Sequence, residues 1–123
     1  LSYNPTSLLH GDYWPGNLIW KDGQLAAVID WEDAHLGDPL QDLAIARLDL
    51  LWAFGSKAME QFTTAYQQMT TLDYRNLPYW DLCAALRPAG KLSSWMTDAG
   101  ARQVMRDKHA GFVAQAMAKI SKG

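Results

Sequence analysis

Two short stretches hold most of the polar side chains that could do chemistry in this chain: "HGDYWPGN", residues 10–17, and "IDWED", residues 29–33. Together they supply a histidine, an amide and two carboxylates, namely His10, Asn17, Asp12 and Asp30. Each is costly to bury without a partner, so a fold that gathers them needs a use for them. Between the stretches runs "LIWKDGQLAAVI", two apolar runs around Asp22-Gly23, a pair suited to a tight hairpin turn. A β-hairpin over residues 17–30 brings Asp30 back beside Asp12 and Asn17. The set then offers a carboxylate able to take a hydroxyl proton, with an amide oxygen and a second carboxylate able to hold a hard divalent cation.

His10, Asp12 and Asn17 have the H-x-D-x-x-x-x-N spacing of a kinase catalytic loop. Phosphoryl transfer asks little covalent chemistry of a protein; it needs a base for the acceptor hydroxyl and oxygen ligands for the Mg²⁺ that bridges the phosphates. Asp12 fits the base, and Asn17 and Asp30 fit the ligands. Taken singly, each is an ordinary turn residue. Their combination with a hairpin and a "GDP" helix start is what carries the chemical reading.

The elements that must position these groups follow from the local pattern. "TSLL", residues 6–9, reads as a short strand or turn entering the loop, and Pro15-Gly16 marks the loop itself. "HLGDPLQDLAIARLDLLWAFG" opens a helix with Asp38 as N-cap, Pro39 at the first helical position and Gly55 as the stop. Leu40, Leu43, Ala44, Leu48, Leu51 and Trp52 recur at helical spacing, widened by Leu50 and Phe54, which describes a mostly buried helix. Ser56 caps a second helix to about Thr70 with Met59, Phe62, Ala65, Tyr66 and Met69 inward. A third runs from Pro78 to about Trp95, kinked at Pro88, with Cys83 at a buried position. A last helix spans Ala101 to Ile120 with Val104, Met105, Phe112, Val113, Ala116 and Ile120 inward. The expected fold is α+β and mostly helical: a short hairpin carrying the polar residues, then four or five packed helices.

The 123 residues suit one domain, and 49% apolar with 20% charged residues describes a globular chain. A net charge of −2 without a basic stripe argues against nucleic acid as the main partner. No apolar run reaches the roughly 20 residues of a membrane span, and no signal-peptide pattern is visible. The single cysteine, Cys83, excludes an internal disulfide, and a cytoplasmic setting is expected.

"LLHGDYWPGNLIW", "AAVIDWEDAHLGDPLQDLA" and "LPYWDL" together resemble the C-terminal lobe of the aminoglycoside phosphotransferase and choline kinase-like family, densely from Leu8 to about Ala46 and more loosely beyond. The resemblance implies a kinase-like fold and transfer of the γ-phosphate of ATP or GTP to a small-molecule hydroxyl, aminoglycoside-like or amino-alcohol. It implies Asp12 as catalytic base, Asn17 and Asp30 as Mg²⁺ ligands, and His10 as a brace of the catalytic loop. By the same resemblance Asp42 anchors the following helix beneath that loop, while Asp38 is most simply the helix cap. Trp31, Glu32 and Asp33 either line an acceptor pocket, where acidic groups suit a cationic substrate, or form a solvated loop.

The chain holds no G-x-G pair and no V-A-I-K-like strand ahead of the loop. The resemblance therefore implies a partial domain, residues 1–123, with the nucleotide-binding N-terminal lobe absent. The isolated chain is expected to be inactive and to self-associate through surface that such a lobe would cover. Two other functions stay open: a non-catalytic kinase-like binding or assembly module, and a metal-dependent phosphoesterase, which would require more histidines near the site than His10.

Overall fold

Asp22 and Gly23 both take positive φ, 53° and 75°, in the computed structural model, which describes residues 3–87 and 99–122. Two consecutive positive φ values make the mirror-image turn whose twist matches paired strands, and Asp-Gly supplies it at small cost. The turn joins β2 (Leu18–Lys21) to β3 (Gln24–Val28), paired antiparallel from Leu18 opposite Val28 to Lys21 opposite Gln24, with a bulge between Ile19 and Trp20. A 3-10 turn, Pro15–Asn17, leads directly into β2.

A second two-stranded sheet was not legible in the sequence. β1 (Ser7–Leu9) pairs antiparallel with β4 (His35–Gly37), Leu9 opposite His35 and Ser7 opposite Gly37. "HLG" is thus a strand ahead of the helix, not its lead-in. Three residues are too few to show a period, and the pairing partner lies far away in sequence.

Four helices follow among the described residues: α1 (Leu40–Phe54), α2 (Ser56–Met69), α3 (Leu77–Ala85) and α4 (Ala99–Lys122). This small antiparallel sheet structure followed by a helical bundle is the arrangement of a kinase-like C-terminal lobe. α1 runs through the centre, burying Leu40, Leu43, Ala44, Ile45, Ala46, Leu48 and Leu51. At its N-terminal half, Leu40, Leu43, Ala44 and Ile45 pack with Leu77 and Ala84, covered by Phe62, Tyr66 and Trp80. At its C-terminal half, Leu48 and Leu51 pack with Met59, Ala85 and Phe112. Gly55, at φ 96°, ends α1 and stands at the N-cap of α2, so Ser56 lies inside the helix it was expected to cap.

The inward faces are narrower than the sequence suggests. α2 buries Met59 and Thr63, but Met69 is exposed and Ala65 lies outside the covered stripe. α3 starts at Leu77 with Pro78 in its first turn and ends at Ala85; the expected kink at Pro88 and the continuation to Trp95 lie outside the described residues. Cys83 is exposed, not buried, because α3 turns Asp81, Ala84 and Ala85 inward and Cys83 falls on the other side. On α4 the covered side chains are Met105, Phe112 and Ala116, leaving Val104 exposed.

One polar knot ties all four helices together. Arg47 of α1 donates from Nε and Nη2 to the two carboxylate oxygens of Asp81 on α3, both at 3.1 Å, and from Nη1 to Thr63 Oγ1 on α2 at 2.7 Å. Gln115 of α4 donates to Asp81 Oδ2 at 3.1 Å, and the Phe112 ring lies 5.8 Å from the guanidinium. Both charged side chains are almost fully buried. No described helix is long and apolar enough to cross a membrane.

Candidate active site

Gly11 adopts φ 88°, and a Cβ on it would stand 2.4 Å from the carbonyl oxygen of Asp33. Only glycine allows this backbone conformation together with so close an approach. The contact lays the loop after β3 directly on the loop after β1, so the two polar stretches of the sequence meet.

Asp42, in the first turn of α1, supports this loop from below. Its Oδ2 accepts the backbone N–H of His10 at 2.7 Å and its Oδ1 accepts that of Gly11 at 3.0 Å. Asp38 is buried just ahead of the helix; its Oδ1 accepts the Leu40 N–H at 2.9 Å and the Asn4 amide at 3.2 Å. It therefore caps α1 and ties the N-terminal arm to it. Asn4 extends that tie to the loop before α3, donating to the Asp73 carbonyl and accepting its N–H.

His10 is buried, and its ring bonds settle its tautomer. The Ile29 carbonyl, 2.7 Å from Nε2, can only accept, while the Asp12 N–H, 3.1 Å from Nδ1, can only donate. The ring is therefore the neutral Nε2–H form, bracing the Asp12 backbone on one side and the end of β3 on the other. Trp31 packs on it at 4.5 Å between ring centroids. Ile29 is held a second time by its N–H to the Asn17 carbonyl at 2.9 Å. Asp30 follows immediately, at φ 65°, a left-handed conformation that aspartate tolerates better than most residues.

Asp12 and Asn17 are both buried. The Asn17 amide nitrogen donates to the Asp12 carbonyl at 2.9 Å and to Asp12 Oδ2 at 3.3 Å. With its nitrogen committed, the oxygen of the Asn17 amide is the atom left to face a cation. An amide oxygen together with a carboxylate is the kind of sparse hard-oxygen set that suits a Mg²⁺ ion whose remaining ligands are water and phosphate. The described residues contain no group of three or more His, Cys, Asp or Glu side chains able to hold a metal, the kind of cluster a two-metal hydrolase uses.

Trp31, Glu32 and Asp33 lie on an exposed turn closed by the Ala34 N–H to the Trp31 carbonyl. The Trp31 indole N–H donates to the Val28 carbonyl at 2.7 Å. His35 beyond them has both ring nitrogens against acceptors, the Asp33 carbonyl at 2.8 Å and Gln41 Oε1 at 3.3 Å. These two bonds, chiefly that to Asp33, raise its pKa above the ordinary histidine value.

Arg87 is the member of the site that sequence reasoning missed. Its Nη2 stands 3.6 Å from Asp12 Oδ1, the carboxylate oxygen that does not face Asn17. It sits just past the end of α3, where no periodicity or motif marks it.

The chain matches the phosphotransferase enzyme family over residues 2–86. It is 32% identical over 89 residues to stress response kinase A of Salmonella typhi, covering 67% of this chain and 24% of that protein. It is 31% identical over 102 residues to acyl-CoA dehydrogenase family member 11 of Rattus norvegicus, covering 69% of this chain and 13% of that protein. A shorter stretch, 48 residues at 35% identity, matches viomycin phosphotransferase of Streptomyces vinaceus, covering 36% of this chain and 17% of that protein. The chain thus spans a quarter or less of the length of these relatives. No solved structure matches it significantly.

Proposed function

Because the chain belongs to the phosphotransferase enzyme family, we propose that it is the catalytic lobe of a small-molecule kinase, moving the γ-phosphoryl group of ATP or GTP to an acceptor hydroxyl. The observation that carries this reading is the doubly fixed Asp12. Its backbone is held by His10 and its carboxylate by Asn17, in a loop whose N–H groups rest on Asp42.

In this reading Asp12 accepts the acceptor's hydroxyl proton as the oxygen attacks phosphorus, and the bond from phosphorus to the leaving nucleoside diphosphate breaks. Asn17 and Asp30 would hold Mg²⁺, which supplies charge neutralisation on the phosphates when bound. His10 keeps the Asp12 backbone and the end of β3 in register without touching substrate. The buried setting of Asp12 limits competing water, and a base aimed in advance removes part of the cost of orientation. Mg·ATP and Mg·GTP incubated with the intact protein and a panel of alcohols test the proposal. Nucleotide-dependent phosphorylation of at least one alcohol is expected, and hydrolysis without transfer to any of them would overturn it.

A further inference from the structure

The stretch that builds the candidate site is acidic: residues 10–42 carry seven carboxylates, from Asp12 to Asp42, and one lysine, Lys21, beside the hairpin turn. A phosphoryl group brings negative charge of its own, and positive charge placed against it is a large part of what catalyses its transfer. Arg87 reaches this stretch from elsewhere in the chain. It stands just past α3, with its Nη2 3.6 Å from Asp12 Oδ1.

Arg47 and Arg87 both pair with buried carboxylates, and they do so in opposite ways. Arg47 makes two bonds of 3.1 Å to Asp81 and a third to Thr63, and its side chain is 4% exposed. It is a structural tie. Arg87 is anchored by its backbone, whose N–H donates at 3.2 Å to the carbonyl of Ala84, a residue buried against α1. Its side chain is 40% exposed, and its contact with Asp12 is longer than the roughly 2.7–2.9 Å of a charge-assisted hydrogen bond. A guanidinium carries five N–H donors, so so long a contact leaves it able to engage a second anion.

We propose that Arg87 is a further catalytic residue, whose guanidinium passes from the Asp12 carboxylate to the oxygens of the phosphoryl group being transferred. The inference rests on the phosphotransferase reading of Asp12. As the acceptor oxygen bonds to phosphorus, its proton goes to Asp12, and the electron pair of the breaking P–O bond stays on the leaving nucleoside diphosphate. Asp12 thereby becomes neutral, and the attraction that held Arg87 to it disappears. The phosphorus is bonded to the oxygen that Asp12 deprotonates, so its other oxygens come within reach of a group 3.6 Å from that carboxylate. They keep their negative charge, and the planar fork of arginine suits two of them at once. Asn17, the proposed metal ligand, flanks Oδ2 of Asp12, whereas Arg87 flanks Oδ1. Arg87 thus has an anionic partner both before and during transfer.

Binding of Mg·ADP with aluminium fluoride, an analogue of the phosphoryl group in transit, tests this on the intact protein, with water in the acceptor's place and tryptophan fluorescence as the readout. Wild type is expected to bind Mg·ADP more tightly once aluminium fluoride is added. Arg87→Gln should lose about tenfold or more of that gain, with Mg·ATP affinity unchanged, which also reports an intact fold. Arg87→Lys, which keeps the charge but not the fork, should lie between. On any alcohol that accepts phosphate, the kcat of Arg87→Gln should fall by about 10²–10³ with KM for Mg·ATP unchanged. A wild type that gains nothing from aluminium fluoride, or an Arg87→Gln variant that keeps the full gain, would overturn the inference while leaving the transferase reading in place. So would loss of Mg·ATP affinity in Arg87→Gln, since the arginine would then serve the bound nucleotide. A wild type that never binds Mg·ATP would overturn the transferase reading, and this inference with it.

Discussion

Asp42 holds His10 by its backbone: the carboxylate accepts the His10 N–H at 2.7 Å and, with its other oxygen, the Gly11 N–H at 3.0 Å. The first turn of α1 thereby fixes the two residues ahead of Asp12. Asp42→Ala removes two charge-assisted bonds and is expected to cost about 2–4 kcal/mol of stability. Turnover should fall along with it, while Asp42→Asn, which keeps one acceptor oxygen, should lie between. Chemical denaturation with parallel kinetics on the intact protein checks the order; equal stability for all three proteins would contradict it.

The Arg47–Asp81 pair makes a separate statement about the bundle. Arg47→Met leaves the Asp81 carboxylate buried with its main partner gone, and a loss of about 3–5 kcal/mol is expected. The double change Arg47→Met with Asp81→Leu should recover much of that, since no stranded charge remains. A double variant as unstable as the single one would show that the pair's geometry, more than the avoided stranded charge, holds the helices.

How far the sequence disclosed all this depends on the range of each interaction. The hairpin was legible because Asp22-Gly23 is a local signal, and α1 because its apolar stripe is broad. Pairing of β1 with β4 was not, since Leu9 and His35 meet only through the fold. Arg47, Asp81 and Arg87 were missed for the same reason: a lone charge in a helical stretch reads as solvated until its partner is known. Asp12, Asn17 and Asp30 stood out only because their spacing matched a chemical task, and the contact of Gly11 with Asp33 that lays the two stretches together has no local signature.

His35 gives a pH-dependent test. Its folded pKa is raised, chiefly by the Asp33 carbonyl and then by Gln41, so its stabilisation is fully present below its unfolded value of about 6.5. It is lost as pH rises through the higher folded pKa. An NMR titration should place His35 above that value. The stability gap between wild type and His35→Ala should shrink from mildly acidic to mildly alkaline pH. The pair is exposed, so the effect is small. Titration at or below the ordinary value would contradict the two-acceptor geometry.

The strands present Leu8, Trp20, Leu25 and Leu36 to solvent, each 48–71% exposed. Leu8 pairs with Leu36 and Trp20 with Leu25 across their strands, so each two-stranded sheet shows an apolar pair that a partner could cover. These 123 residues in isolation are expected to associate with a second copy through these apolar pairs and to transfer no phosphate at a useful rate. Light scattering should show the association, and Trp20→Glu with Leu36→Glu should disperse it. A clean monomer at high concentration, or ATP-dependent transfer by the isolated chain, would contradict this.

The division of labour between Asp12 and Asp30 tests the account most directly. In the intact protein, turnover and Mg·ATP affinity are to be measured for Asp12→Asn and Asp30→Ala side by side. Asp12→Asn is predicted to lower turnover by about 10²–10⁴ with nucleotide affinity nearly unchanged, the share of a general base. Asp30→Ala is predicted to abolish Mg²⁺-dependent nucleotide binding. Full turnover in Asp12→Asn, or an exchange of the two phenotypes, would contradict the assignment of base and metal ligand on which the proposed function rests.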